Sequence, residues 1–221
     1  MDVHSSQVPS VGARAARRPG WPHQSLSVPG PGCANAKPRD EQACGRRGKV
    51  RSIEQVVADA GAWEKRAAGS PSVPAWEAML PVVRGEIPLM IHAQSQREIK
   101  SALKWSEPHA RLRIVIVGGR DSWMLADELA KRKIAVIYSE VYALPARTSD
   151  AYDVQFRAPG ILRQAGVTVA ISEGLEKASA SGQRNLPYLA AQAATFGLPP
   201  DDALAAITLV PAQLDGVGDS I

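Results

Sequence analysis

One histidine stands where a strand is expected to end. His92 follows the short apolar run Leu89–Ile91, and Ser95 with Glu98 three positions later has the pattern of a capping box that starts a helix. At the carboxyl end of a strand in a parallel barrel, an imidazole can ligate a metal or act as a general base. The position equally suits a histidine that only hydrogen-bonds the strand end, so both roles stay open. His109 lies in a polar turn at the opposite rim, where we expect it to be solvated.

Further polar side chains follow the later apolar runs at the same expected rim. The carboxylate of Glu173 can bind a metal or move a proton there, and a helix cap or a loop ion pair is its structural alternative. Arg184 stands beside a helix start, where a guanidinium can hold an anionic group, unless Asn185 simply caps that helix. Tyr138 opens another polar run. We therefore expect one catalytic residue, Glu173, and three substrate contacts: Tyr138, Arg184 and Asn185.

Four apolar, β-branched runs predict the strands that would position these side chains. They alternate with stretches of helical spacing, which is typical of βα units and a parallel sheet. Four such units are half of a (β/α)8 barrel, so we predict an α/β fold, a partial TIM-type barrel of about four C-terminal βα units. A small doubly wound sheet is the alternative, since Gly118-Gly119 follows the second run, although Trp123 stands where the dinucleotide fingerprint has its last glycine. The predicted strands are Leu89–Ile91, Arg113–Val117, Ile134–Tyr138 and Val167–Ile171.

The spacing of apolar residues, prolines in first turns and glycine stops predict the helices between and after these strands. They are Ile53–Glu64, Val73–Leu80, a helix from the Ser95 cap through Trp105, one from an Asp121 or Ser122 cap to about Lys131, Ala158–Gln164 closed by Gly166, Asn185–Phe196, and Asp201–Leu209.

The positive charge is confined to the start of the 221-residue chain. Residues 1–50 hold eight Lys/Arg against three Asp/Glu, whereas residues 51–221 hold 18 against 19. Dense proline and glycine in the first 50 residues predict a disordered tail, which leaves residues 51–221 as the barrel domain. A nucleic-acid site needs a basic face on a folded domain, so we expect no nucleic-acid partner.

Membrane and export signals are missing from the sequence. No stretch is apolar enough to span a membrane, and no secretory signal is visible, so the expected location is cytoplasmic by default. Cys33 and Cys44 both lie in the first 50 residues and lack the spacing of a zinc site or a disulfide framework.

The closing run of the chain has the most specific pattern. Gly197-Leu198 precedes an Ala-Leu helix, and Ile207-Thr208 is followed by Pro211-Ala212 and Gly216-Val217. Together with the segments 87–95, 113–119, 167–172 and 184–188, this run resembles the second half of an amidohydrolase-superfamily barrel of the imidazolonepropionase-like type. The resemblance extends in order over about residues 52–218.

The resemblance implies a metal-dependent hydrolase that cleaves C–N bonds of amides or cyclic amides by means of metal-activated water. His92 then matches the family's histidine ligand after its fifth strand, and Glu173 stands near the aspartate after its eighth. The implied partners are a divalent metal, with zinc the expected ion if the site is completed, and a small amide-type substrate.

Three departures from the family pattern concern the metal ligands. The chain has no His-x-His pair, Val117 to Gly119 stand where another histidine is common, and Glu173 is one methylene longer than aspartate. We therefore expect a truncated chain without the first four βα units, inactive by itself. The alternative is a non-catalytic half barrel that binds a small ligand or associates with itself through unpaired barrel edges.

Overall fold

The computed structural model describes residues 14–15, 53–66, 72–174 and 179–218. The predicted disorder of residues 1–50 lies outside these residues, except at Arg14–Ala15. That pair forms a two-residue strand, β1, which lies antiparallel to Leu89 and Met90.

Four parallel strands follow in chain order, each next to the one before it. The strands are β2 (Leu89–Ala93), β3 (Ile114–Gly118), β4 (Ala135–Tyr138) and β5 (Val169–Ile171). A doubly wound sheet reverses its strand order at a switch point, whereas a barrel adds strands in sequence. The observed order β2-β3-β4-β5 is consistent with a partial barrel.

The helices connect these strands and close the chain. Residues 53–64 form α1. The others are α2 (Pro74–Val83), α3 (Gln96–Ser106), α4 (Ala126–Lys131), α5 (Val154–Gln164), α6 (Ser179–Gly182), α7 (Leu186–Thr195), α8 (Pro200–Ile207) and α9 (Leu209–Asp215), with short 3-10 helices at Ser122–Leu125 and Gln183–Asn185.

The parallel sheet has two unlike faces. On the outer face, alternate strand residues such as Ile116, Val136 and Ile171 pack in one core with α3, α4, α5, α7 and α8. On the inner face, Val115, Ala135 and Ala170 pack with Leu214 of α9. All the helices that connect β2 to β5 thus lie on the outer face, as in a barrel.

Most of the predicted elements are confirmed, including the capping box. Ser95 Oγ accepts the backbone N–H of Glu98, and the Glu98 carboxylate accepts the N–H of Ser95. Gly166 has φ +89° just after α5, and its N–H donates to the carbonyl of Arg163, so it ends that helix as expected.

The largest differences from the predicted helices lie at the start of α5 and at the end of α8. The helix α5 begins at Val154 and not at Ala158, because Val154, Ala158 and Leu162 share one buried face and the helix tolerates Pro159 inside it. A separate helix, α9, follows α8, because the backbone at Thr208 (φ −128°, ψ −81°) leaves the helical region between them.

Gly160 of α5 lies directly against the turn that follows α7. A Cβ at this position would come within 2.9 Å of the Gly197 carbonyl carbon and 3.1 Å of the Leu198 nitrogen. Backbone atoms cannot swing aside as a flexible side chain can. The spacing between α5 and α7 therefore depends on this glycine.

We predict opposite effects of alanine at two helical glycines. Gly160→Ala should lower the free energy of unfolding by about 1–3 kcal/mol, because the added methyl overpacks a close contact. Gly61→Ala in α1, where nothing lies within 4 Å of the new Cβ, should raise it by about 0.5–1 kcal/mol through helix propensity. Denaturant unfolding of both variants checks the pair, and a Gly160→Ala variant as stable as the parent would contradict the packing.

Candidate functional site at the carboxyl edge of the sheet

His92 lies on the inner face near the carboxyl edge of the sheet. It is half-buried and in register with Val117 of β3, which in turn is in register with Ile137 of β4. Side chains two apart on a strand share a face, so His92 lies on the same face as Met90, one step nearer the edge. The inner-face cluster that α9 covers includes Met90 and Val115 nearer the amino edge and also Ile137, which lies in the same row of the sheet as His92.

Three side chains that follow β2, β3 and β4 form a hydrogen-bonded ring at the carboxyl edge. The Gln94 amide donates to Glu140 Oε1 (3.0 Å), and its Oε1 accepts the backbone N–H of Arg120 (3.2 Å). Arg120 Nη2 donates to Glu140 Oε2 (3.4 Å), which closes the ring. Ser139 Oγ also donates to Glu140 Oε1 (3.2 Å). We call Gln94, Arg120 and Glu140 the edge ring.

Gly118 makes room for the edge ring. It has φ +99°, and a Cβ there would lie 2.7 Å from the side-chain amide of Gln94. A residue with a side chain would have to move the amide and adopt a strained backbone. The glycine that the sequence places after β3 therefore positions Gln94 between Arg120 and Glu140.

Asp121 is the most deeply buried charged group beside the edge ring, with 3% of its surface exposed. Arg147 donates to both carboxylate oxygens (2.9 and 3.1 Å), and the Gln96 backbone N–H donates to Oδ2 (3.0 Å). Burial alone would raise the pKa of Asp121, but the hydrogen bonds from Arg147 and Gln96 outweigh it and hold the pKa below its ordinary value. The Arg147–Asp121 pair fastens the loop after β4 to the loop after β3, and Arg147 also pairs with Asp150 within its own loop.

The sequence predicts that Asp121 or Ser122 caps the following helix, and Asp121 does not do so. Its side chain makes no cap hydrogen bond to the 3-10 helix that follows. It accepts instead from the first residue of α3 and from Arg147.

Tyr138 lies on the outer face, away from His92. It is fully buried, and its hydroxyl donates to Gln155 Oε1 in α5. Burial, with the Glu140 charge nearby, raises the pKa of this hydroxyl well above its ordinary value. The structure places this side chain at the last residue of β4 in the outer-face core, and its predicted contact with substrate stays a prediction.

Glu173 lies after β5, half-buried, and packs over the end of α6. A Cβ on Gly182 would come 2.6 Å from Glu173 Oε1. The 3-10 helix that carries Arg184 and Asn185 follows directly after Gly182. Arg184 is exposed. Asn185 is the N-cap residue of α7, but its side chain makes no capping hydrogen bond.

The edge ring was only partly visible in the sequence. Glu140 belongs to the polar run that Tyr138 opens, whereas residue type and spacing do not distinguish Gln94 or Arg120. The available signal was their position, because residues that directly follow adjacent parallel strands meet at one edge.

The described residues do not fit a complete metal centre. Among them, no three His, Cys, Asp or Glu side chains come together in a group that could hold a metal ion. Protein zinc sites use about three or four such ligands. Within this part of the chain, His92 can therefore supply one ligand of such a site but not the set.

Comparison with known proteins gives one fold relationship. No family model matches the chain, and no curated protein matches it. A crystal structure of an amidohydrolase from Thermotoga maritima MSB8 is similar, with a TM-score of 0.61 and 20% sequence identity over 79% of this chain. The match covers 46% of that amidohydrolase, so the chain spans less than half of its length. The chain thus has an amidohydrolase-like fold.

The described helices include none that is both long and apolar enough to cross a membrane.

We predict that Arg147→Met destabilises the protein by about 2 kcal/mol or more at neutral pH, because it leaves the buried Asp121 carboxylate with one backbone donor. Since the folded-state pKa of Asp121 lies below its unfolded value, this contribution is complete above that unfolded value, about pH 4, and is lost as the pH falls through the folded-state pKa. Denaturant unfolding of parent and variant across this acid range measures the difference.

The matched control is Arg163→Met, which breaks a pair with Asp202 in which the arginine side chain is 49% exposed. Its effect should be at most about 1 kcal/mol. Equal losses in both variants, or a constant Arg147→Met effect through the acid range, would show that the Asp121 pair does not act as described.

Proposed function

We propose that the chain is a partial-barrel hydrolase of the imidazolonepropionase-like type, directed at C–N bonds of amides or cyclic amides, and inactive as a single chain. The observation that carries the proposal is the amidohydrolase-like fold with His92 on the inner face beside the carboxyl edge. Active sites of barrel enzymes form at this edge. The similarity in fold supports the class of enzyme, and the side chains at the edge support the proposed chemistry.

A divalent metal would polarise the substrate carbonyl and activate water in such an enzyme. His92 is the side chain that would ligate it, and further ligands would have to come from outside the described residues. Glu173, after β5, is a carboxylate that can accept or return a proton at the same edge. Gly182 leaves room for this carboxylate, because a larger residue at that position would displace it.

We predict that the purified full chain holds well under one equivalent of zinc after dialysis and does not hydrolyse a panel of amides and lactams, because its described residues provide too few ligands. Elemental analysis and chromatographic product assays measure both quantities. His92→Asn should change neither.

The matched control is His109→Asn, in the turn between α3 and β3 at the opposite edge. Stoichiometric zinc that is lost in His92→Asn and kept in His109→Asn, together with hydrolysis, would overturn the proposed inactivity and support the hydrolase class. Stoichiometric zinc that is unaffected by His92→Asn would overturn the role of His92.

A second candidate is a non-catalytic half barrel that associates with itself. The observation that favours it is the position of β5 at the end of the sheet, paired with β4 on one side only among the described strands. The carbonyl of Thr168 and the backbone N–H of Ser172 form hydrogen bonds with β4. Backbone groups alternate in direction along a strand, so those of Val169 and Ile171 point away from β4. A strand edge without a neighbouring strand can template pairing with another chain.

If this candidate is correct, the full chain should show a monomer–dimer equilibrium in sedimentation velocity, with the dimer fraction rising with protein concentration. A single monomeric species over the whole accessible range of concentration would rule it out.

A further inference from the structure

The ion pair in the edge ring is loosely made, although its surroundings are fixed. The distance from Arg120 Nη2 to Glu140 Oε2 is 3.4 Å, at the long limit for a hydrogen bond. Arg120 Nε is buried and has no hydrogen-bond partner among the described residues. Glu140 Oε1, in contrast, accepts from both Gln94 and Ser139. The unused hydrogen-bonding capacity of the pair is therefore concentrated on the guanidinium and on Glu140 Oε2.

A molecule from solvent can reach this pair. The Arg120 side chain is 40% exposed and the Glu140 side chain 17%. The neighbouring Asp121 carboxylate is already held by Arg147 and the Gln96 N–H, so it does not compete for Arg120. Donor and acceptor thus stand side by side at the carboxyl edge, and both are accessible.

The charge of the pair selects the kind of ligand. One guanidinium and one carboxylate give the edge ring no net charge, and Glu140 repels an anion that approaches Arg120. A neutral group with an acceptor next to a donor satisfies both residues at once. An amide in the cis configuration, as in a lactam or a cyclic ureide, presents C=O and N–H on the same side.

We propose that Arg120 and Glu140 bind the cis-amide group of a lactam or cyclic ureide, with the amide N–H donating to Glu140 Oε2 and the amide C=O accepting from the Arg120 guanidinium. The ligand replaces one long hydrogen bond between the two charged groups by two hydrogen bonds, each of which is assisted by one charged partner. Gln94, lodged against Gly118, holds the Glu140 carboxylate and the backbone of Arg120 in place. This inference rests on the proposed function for its amide class, but the binding step needs no metal.

The test is titration of the full chain with hydantoin, a cyclic ureide, in the presence of a metal chelator, followed by protein-observed NMR. We expect a dissociation constant on the order of millimolar, as for other fragments of this size. Arg120→Met and Glu140→Gln should each weaken binding at least about tenfold, because a hydrogen bond to a charged group is lost or weakened. The probe 1,3-dimethylhydantoin, which has no N–H to donate, should bind at least about tenfold more weakly than hydantoin.

Arg132→Met is the matched control, since it removes a guanidinium that pairs with Glu128 (3.0 Å) at the end of α4. It should leave hydantoin binding unchanged, and thermal unfolding of each variant shows whether it is folded. Absence of hydantoin binding, equal binding of the dimethylated probe, equal loss in Arg132→Met, or displacement of hydantoin by acetate would overturn the inference. Because no metal and no turnover are involved, these results are separate from the zinc and hydrolysis measurements.

Discussion

The register of the four parallel strands decides the role of every residue near the carboxyl edge. His92, Val117 and Ile137 occupy one row of the sheet, and Ala93, Gly118, Tyr138 and Ile171 occupy the next. Successive residues point to opposite faces, so the first row faces inward and the second packs against the outer helices. A slip of one residue would exchange the two rows and turn the large side chains that pack against the outer helices towards the inner face. The burial of the outer-face core is therefore what holds His92 on the inner face.

Beyond the last row of the sheet, hydrogen bonds between polar side chains connect the segments that follow the strands. The edge ring draws one side chain from the end of each of three neighbouring strands, and Gly118 allows the Gln94 amide to reach between the other two. The Asp121–Arg147 pair then fastens the loop after β4 to the loop after β3. Both sets of contacts hold their donors and acceptors in place before any ligand arrives, which reduces the ordering cost of binding.

Local patterns were sufficient for the strands, for the Ser95–Glu98 capping box and for the stop at Gly166, since each depends on residues close in sequence. Local patterns do not predict which face of the sheet Tyr138 occupies, because its strand is buried on both sides and its apolar neighbours show no alternation. Asp121 had the type and spacing of a cap, but its partner Arg147 lies 26 positions later and could be assigned only in three dimensions. The break at Thr208 has a local signal in Pro211, which lies in the first turn of α9.

The edge ring and the imidazole of His92 differ in how much of a function each can perform. One histidine provides a single bond to a metal, and the strength of a metal site comes from three or four ligands acting together. The edge ring already contains the donor, the acceptor and the residue that orients them, all within the described strands and loops. In the proposed site, recognition of an amide and its hydrolysis are thus separable: the edge ring would bind the group, whereas cleavage would require additional ligands around His92.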